Sequence, residues 1–399
     1  VVDAASLNMV GLAEVLAHIP RIYGEFRKLC RAAREERPAA AILTDSPDFH
    51  LRLAAKLRAL GIPVVYLVAP QVWAWRKGRV RHLRRNVRRL LCIFPFEEQF
   101  FRDNGVAAEY IGHPLAGLVR TTGGKPEFLL RNRIPAGGPL ATLLPGSRPG
   151  EAARHLPELG RAAGKMLSRG VQVILAAPEG FSEAAGEGFF ARHGLPAGVP
   201  VVEGQTWDAI AHADVALAAS GTVTIEAALL GTPMVTFYRV TRLTWLIGRP
   251  LVRVPFYSMV NLVAQRDVVP ELIQNRMTGE RLAAEAFRLL EFLVGYEHQS
   301  EMARMGWNIP TRIDVAEGEP FLKNPDHPKG VNESFIIEAK YTVPLQTNPY
   351  INLWEFLGAF SDELGLLDIK KDLTIEQACK NVVTKVNGII KKNMEAENQ

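Results

Sequence analysis

The chain has 399 residues, 48% of them hydrophobic and 22% charged, with a formal net charge of +5. That composition belongs to a globular protein large enough for two domains with full cores, and it argues against disorder. No apolar run approaches the ~18 to 20 residues of a membrane-spanning helix, and the opening VVDAASLNMV lacks the basic and apolar regions of a signal peptide, so a cytosolic location is expected. Cys30, Cys92 and Cys379 lie far apart and outside any Cys/His cluster, which predicts neither a disulfide framework nor a zinc site. The positive balance fits an anionic partner: nucleic acid, a phosphorylated ligand or an acidic membrane surface.

Along the chain, an amphipathic segment at 9–30 comes first, with apolar residues at helical spacing that suit either core packing or acyl-chain contact. Apolar, β-rich runs then alternate with helical patterns, which predicts βαβ units and parallel sheets. One series of strands is expected at 40–45, 63–69, 89–94 and 107–112. A second follows the polar, glycine-containing stretch at 121–138, with strands at 140–146, 171–177, 199–204, 215–220 and 233–238. In such doubly wound sheets ligands collect outside the carboxyl ends of the strands, so the loops there are the candidate sites.

LTDSPDFH (43–50) places Asp45 and Asp48 at a strand end, where a carboxylate can take a proton from a hydroxyl nucleophile or cap the next helix. APQVWAWRKGRVRHLRRNVRRL (69–90) has Trp73 and Trp75 leading into a helix dense with Arg76, Lys77, Arg79 and further arginines through Arg89. Aromatic and basic residues together suit an anionic bilayer surface; a nucleic-acid groove, or a solvated helix with core tryptophans, uses the same residues. His113, in IGHPL, is a candidate acid/base, phosphate or interdomain contact.

LLPGSRPGE (143–151) ends a strand with Gly146 and Ser147 and opens a helix carrying Arg148 and Glu151. Helix-start N–H groups lack partners and carry partial positive charge, so a diphosphate suits this turn, with Arg148 adding a planar cation. AASGTVTIEAALLGTPMV (218–235) repeats the arrangement with Ser220, Gly221, Thr222 and, one turn into the helix, Glu226, placed to accept from ribose hydroxyls. Helix capping is the plainer use of the same residues. YSMVNLVAQRDVVPELIQ (257–274), read as a loop after the last strand, offers Asn261, Gln265, Glu271 and Gln274 to a sugar or uracil edge.

Composition shifts near residue 290. Before Phe292 the basic residues are nearly all arginine; after it lysines dominate, with only Arg304 and Arg312 against them. Domains are therefore expected at 1–120, 121–289 and 290–399, the last an α-rich tail of different origin.

Taken in order, SPDF, PQVWAWR, FPFE, IGHPL, LLPGSR, ASGTVTIE, GTPMV and the NLVA to VPELIQ run give residues 10–289 a specific resemblance to the lipid-A-disaccharide synthases of glycosyltransferase family 19. The resemblance implies an α/β, GT-B fold of two Rossmann-like doubly wound domains. It implies inverting transfer from UDP-2,3-diacylglucosamine to 2,3-diacylglucosamine 1-phosphate, releasing UDP and forming a β-1,6 bond, with no metal, organic cofactor or nucleic acid. It makes Asp45 the candidate base, Arg148 a stabiliser of departing UDP, and Ser220, Gly221, Thr222, Glu226 and Asn261 nucleotide contacts. His113 becomes an interdomain contact, and Trp73 to Arg89 a membrane- or acyl-facing surface, peripheral to the inner membrane. It leaves oligomeric state unassigned.

Two departures are expected to matter. The family's opening strand and Ser-Gly-Asp loop have no counterpart, so the N-terminal domain is expected to be incomplete, and the family's C-terminal helices are replaced. In their place FLVGYEHQSEMARMGWNIPTR (292–312), NPYINLWEFLGAFSDELGLLD (348–368) and a TIEQACKNVVTKVNGII helix are similar to the C-terminal end of an extracellular solute-binding protein of an ABC importer. Two other readings stay open: another UDP-sugar enzyme of the same fold, such as a peptidoglycan N-acetylglucosaminyl transferase or an epimerase, and a non-enzymatic solute binder defined by the tail.

Overall fold

The computed structural model describes residues 12–252, 254–306, 310–325, 327, 330–339 and 375–397. The chain divides into two compact units, Val1–Gly295 and Tyr296–Gln399. The first unit holds two parallel sheets in succession, flanked by helices, and is α/β.

The first sheet runs β1 (Ala41–Thr44), β2 (Val64–Leu67), β3 (Arg89–Cys92) and β4 (Ala108–Tyr110), in spatial order β1-β2-β3-β4. The second comprises β5 (Leu140–Leu144), β6 (Gln172–Ala177), β7 (Val201–Glu203), β8 (Val215–Ala219), β9 (Met234–Tyr238) and β10 (Glu271–Ile273). Its order is β10-β9-β8-β5-β6-β7, all parallel. β10 corrects the expected loop at 257–274: its three residues pair with Thr236, Phe237 and Tyr238.

Period-two alternation divides the second sheet's side chains between two cores. Ala141, Leu143, Val173, Leu175, Val215, Leu217, Val235 and Phe237 meet the helices Pro149–Leu167 and Gly279–Val294. Leu140, Leu144, Ile174, Ala176, Ala216, Ala218 and Met234 face the other way, against Ala209, Ile210 and Ala227. Burial on both faces is why these strands read as continuous apolar runs rather than alternating ones. In the first sheet Tyr66, Leu90 and Cys92 pack with Leu51, Leu57, Leu83 and Phe101. The helix Leu12–Glu36 covers the expected amphipathic segment from Leu12 on, and Phe26, Leu29 and Cys30 pack against this core.

The basic stretch folds differently from the long helix expected. A single turn at Lys77–Arg79 leads into the short helix Val80–Asn86, and Arg89 already begins β3. Trp73 is a core residue, 8% exposed, and its indole N–H donates to Glu97 at 3.0 Å. Glu97 also accepts from the backbone N–H of Phe94 and Ile93, tying the start of the helix Pro95–Asp103 to the loop before it.

In the second unit the helices Tyr296–Arg304, Ile313–Ala316, Glu319–Leu322 and Val331–Ala339 gather around Ala303, Val315 and Phe321, and a further helix spans Ile375–Glu397. Residues 348–368 of the expected tail pattern fall outside the described residues. Among the described residues no helix is long and apolar enough to cross a membrane.

Glu97, 1% exposed, has its carboxyl pushed up to about 7 by burial, against the hydrogen bonds that lower it. A folded-state value above the ordinary 4.5 means stability is fully present below pH 4.5 and is lost as pH rises through about 7. Across that window the contribution is on the order of 3 kcal/mol. In urea melts, Glu97→Gln should lower stability, since an amide –NH2 must then face one of the N–H donors, and should flatten this part of the pH profile. An unchanged slope would show that Glu97 is not the titrating group.

Candidate functional site

The order of the second sheet decides where a ligand fits. From β5 the chain adds β6 and β7 on one side, then returns to add β8, β9 and β10 on the other. The loops after β5 and β8 therefore leave in opposite directions and open a crevice between them. A cleft of about 530 Å³ lies there, a volume suited to a small organic ligand. Gly146, Ser147 and Glu151 line it from the β5 loop, and Ser220, Gly221, Thr222 and Glu226 from the β8 loop.

In the β5 loop Gly146 has φ 113°, a conformation that favours glycine, and a Cβ there would come within 2.5 Å of the Glu151 carboxylate. Glu151 folds back on its own loop, where the Ser147 amide and the Tyr238 hydroxyl favour its charged form. Burial raises its carboxyl above the ordinary value, with Arg148 and Arg154 pulling the other way. Arg148 occupies the N-cap position of the helix Pro149–Leu167 and is exposed.

At the β8 loop, Ser220 is held internally: its hydroxyl donates to the Tyr257 carbonyl at 2.7 Å. Gly221 has extended backbone, and nothing lies within 4 Å of where its Cβ would be, so the open space beside it belongs to the cleft. The helix Thr222–Leu229 begins next, and no preceding turn supplies carbonyls for the Thr222 and Val223 amides. Burial raises the Glu226 carboxyl above the ordinary value, with the Trp207 side chain pulling the other way.

Several lining residues carried no recognisable pattern in the sequence. Glu179 follows β6, Gln205 and Trp207 follow β7, and Arg120 and Thr122 come from the stretch joining the two sheets. Asp208, 2% exposed, accepts from the Thr122 N–H at 2.8 Å and hydroxyl at 2.7 Å, which fixes that joining stretch to the rim of the cleft.

His155 braces the β5 loop from below. It is fully buried, with Nδ1 2.8 Å from the Pro145 carbonyl and Nε2 3.0 Å from the Arg239 backbone nitrogen. A proton on Nδ1 satisfies both contacts, so the neutral ring is the form that fits, and burial holds its pKa below the ordinary 6.5.

The remaining predicted residues stand apart from the cleft lining. Asn261 is fully buried and its side chain is taken up internally: the amide donates to Val269 and Glu271, and the oxygen accepts from Val268 and Val269. Glu271 accepts from the Tyr257 and Ser258 amides. Both organise the approach to β10, with these hydrogen bonds made inside the protein. Gln265 bonds the Leu262 carbonyl, and the Gln274 carbonyl accepts from Arg239. His113 accepts from the Leu115 N–H at 3.2 Å and packs on Phe94, so it caps a local turn.

On the first sheet, Asp45 has φ 55° and Ser46 φ 38°, two successive non-glycine residues in the left-handed region. Such strain collects at functional sites. Its carbonyl is held by the Tyr66 hydroxyl at 2.6 Å and the His50 ring at 2.8 Å, while its side chain is exposed. Asp48 pairs with Arg76 and Arg79, and the helix Pro47–Ala59 has no side-chain cap at its start, so capping does not explain either carboxylate. Trp75 is 39% exposed, with the Arg76 and Arg79 guanidinium groups over its ring at 4.5 and 5.5 Å; Lys77 is exposed beside them. Among the described residues no group of three or more His, Cys, Asp or Glu is arranged to hold a metal ion.

Residues 1–305 match the family described as Lipid-A-disaccharide synthetase. That span includes the helix Tyr296–Arg304 and so passes the boundary expected at 289. The chain is 63% identical to the lipid-A-disaccharide synthase of Solibacter usitatus over 292 residues, covering 73% of this chain and 76% of that protein. It is 44% identical to that of Koribacter versatilis over 294 residues, again 73% and 76% of the two chains. A solved UDP-GlcNAc 2-epimerase from Neisseria meningitidis, bound to UDP-GlcNAc, aligns with 68% of this chain and 81% of its own at 11% identity and a TM-score of 0.42.

A folded-state pKa below 6.5 for His155 means its stabilising contribution is present above pH 6.5 and is lost as pH falls through that lower value. His155→Leu leaves the Pro145 carbonyl and Arg239 amide without partners, which should cost about 2–4 kcal/mol in urea melts and remove the acid-side slope assigned to this ring. A variant as stable as the parent would contradict the bracing role.

Proposed function

Because the chain belongs to the lipid-A-disaccharide synthase family and is a glycosyltransferase of lipid A biosynthesis, we propose that the cleft between the β5 and β8 loops receives the UDP of an acylated glucosamine donor. The acceptor is an acylated glucosamine 1-phosphate, and the overall arrangement is of GT-B type. The observation that carries this is the convergence of two helix-start loops, with Gly221 leaving open space and Glu226 inside the cleft, at the strand-order reversal. Unpartnered amides and a helix dipole suit a diphosphate, and the half-buried Glu226 carboxyl suits ribose hydroxyls.

In the reaction, the acceptor's 6-hydroxyl attacks the anomeric carbon from the face opposite the diphosphate. The new C–O bond forms as the bond to the phosphate oxygen breaks, the electron pair leaves with UDP, and the hydroxyl proton passes to a carboxylate. Asp45 is the candidate base: its backbone is locked by Tyr66 and His50 and its side chain is exposed. Arg148 stabilises charge on the departing diphosphate, supplemented by the fixed amides of Thr222 and Val223. The protein works in the cytoplasm against the inner membrane, where acylated sugars reside. Beyond residue 305 the family match ends.

UDP release from the two acylated substrates measures this directly. Asp45→Asn should lower kcat by about 100-fold or more, and Arg148→Ala by about 10-fold or more, with the thermal midpoint unchanged since both side chains are exposed. Gly221→Ala, which meets no protein atom, should fold normally and bind UDP about 10-fold more weakly as its methyl enters the cleft. Full activity in the Asp45 and Arg148 variants would overturn the assignments.

A further inference from the structure

The segment between β9 and β10 carries an apolar surface that neither the nucleotide cleft nor the basic Trp75 stretch uses. In the helix Arg242–Gly248, Leu243, Leu246 and Ile247 are 68%, 74% and 57% exposed, and Leu251 just beyond is 58% exposed. Positions i, i+3 and i+4 share one helix face, so the three helical residues form a contiguous apolar ridge. Large aliphatic side chains grouped on an exposed ridge mark a contact with something apolar.

This ridge is anchored at two points. Thr241 caps the helix by accepting from the Thr244 N–H at 3.2 Å. Trp245, two residues from Leu243 and so on the opposite face, packs on Tyr257 at 6.1 Å. Tyr257 in turn receives the Ser220 hydroxyl from the cleft loop and donates its N–H to Glu271. The ridge is thus bound through Trp245 and Tyr257 to the wall of the cleft.

Charge selects the occupant. No Asp or Glu occurs between Glu226 and Asp267, while Arg239, Arg242, Arg249, Arg253 and Arg266 do. Arg242 and Arg249 are exposed on either side of the apolar residues, and among the described residues neither pairs with a carboxylate. The Trp75 patch differs: Arg76 and Arg79 share the Asp48 carboxylate and lie over the Trp75 ring, whereas Arg242 and Arg249 flank exposed aliphatic side chains.

We propose that the ridge of Leu243, Leu246, Ile247 and Leu251, flanked by Arg242 and Arg249, docks on an anionic lipid bilayer. The aliphatic side chains enter the acyl boundary and the two guanidinium groups meet anionic headgroups. The choice of a bilayer rests on the proposed use of acylated sugars. Docking here would place the cleft wall beside the membrane that holds them.

Flotation of the chain with vesicles of phosphatidylglycerol and phosphatidylcholine, compared with phosphatidylcholine alone, tests this without any sugar substrate. The parent should float with the anionic vesicles and release as salt rises. Leu246→Ser/Ile247→Ser should cut partitioning by about 10-fold or more. Arg242→Ala/Arg249→Ala should do so by about 10-fold on anionic vesicles with little effect on neutral ones. Trp75→Ala/Arg76→Ala should stay within about twofold of the parent. All substitutions are at exposed positions, and equal thermal midpoints verify folding. A parent that fails to float, ridge variants that float like the parent, or ridge variants whose only change is loss of self-association in light scattering would each overturn the proposal. UDP release assayed separately in detergent distinguishes a failure of this surface from a failure of the proposed reaction.

Discussion

Reversal of strand order beside β5 is the constraint on which the remaining features depend. A parallel sheet that grows in one direction from β5 and then in the other through β8 must part its loops at that point. Each parted loop runs into a helix whose first amides have no carbonyl to meet. Two such starts facing one crevice set unpartnered backbone amides beside the carboxyl groups of Glu151, Glu179 and Glu226. The fully buried strands on either side make this geometry costly to change, because shifting a strand by one residue would exchange its two core faces.

Around that crevice, polar bonds set the loops individually. His155 ties the β5 loop to the segment after β9. Ser220 holds the β8 loop to Tyr257, and Glu271 with Asn261 fixes the path from Tyr257 into β10. Asp208 clasps Thr122 in the stretch between the sheets. Loops set in advance lose little conformational freedom on binding, which is how a polar site gains affinity without many contacts. The same chain of contacts extends through Tyr257 to Trp245 and the exposed ridge, so the ridge and the cleft loop share one wall.

Nine strands were legible because their apolar runs end at Gly, Pro or Asp and alternate with amphipathic segments. β10 was not: Glu-Leu-Ile is too short to show a period, and its glutamate is used to bind backbone amides rather than solvent. The β5 and β8 turns were readable as local strand-turn-helix patterns, whereas Trp207, Glu179 and Thr122 reach the cleft only through the order of the strands, which no local pattern encodes. Trp73 shows the converse. A tryptophan beside arginines suggested a surface, yet its partner is a glutamate 24 residues away, and only tertiary structure brings them together. The exposed leucines after β9 carry no signal in the sequence, because apolar residues at helical spacing read the same whether a helix face is covered or bare.

A crystal structure of the chain with UDP tests the central claim most directly. The account predicts the diphosphate against the Thr222 and Val223 amides and the β5 loop, with the ribose within hydrogen-bond distance of Glu226. UDP seated elsewhere, or in this cleft with its diphosphate turned away from both loops, would contradict it.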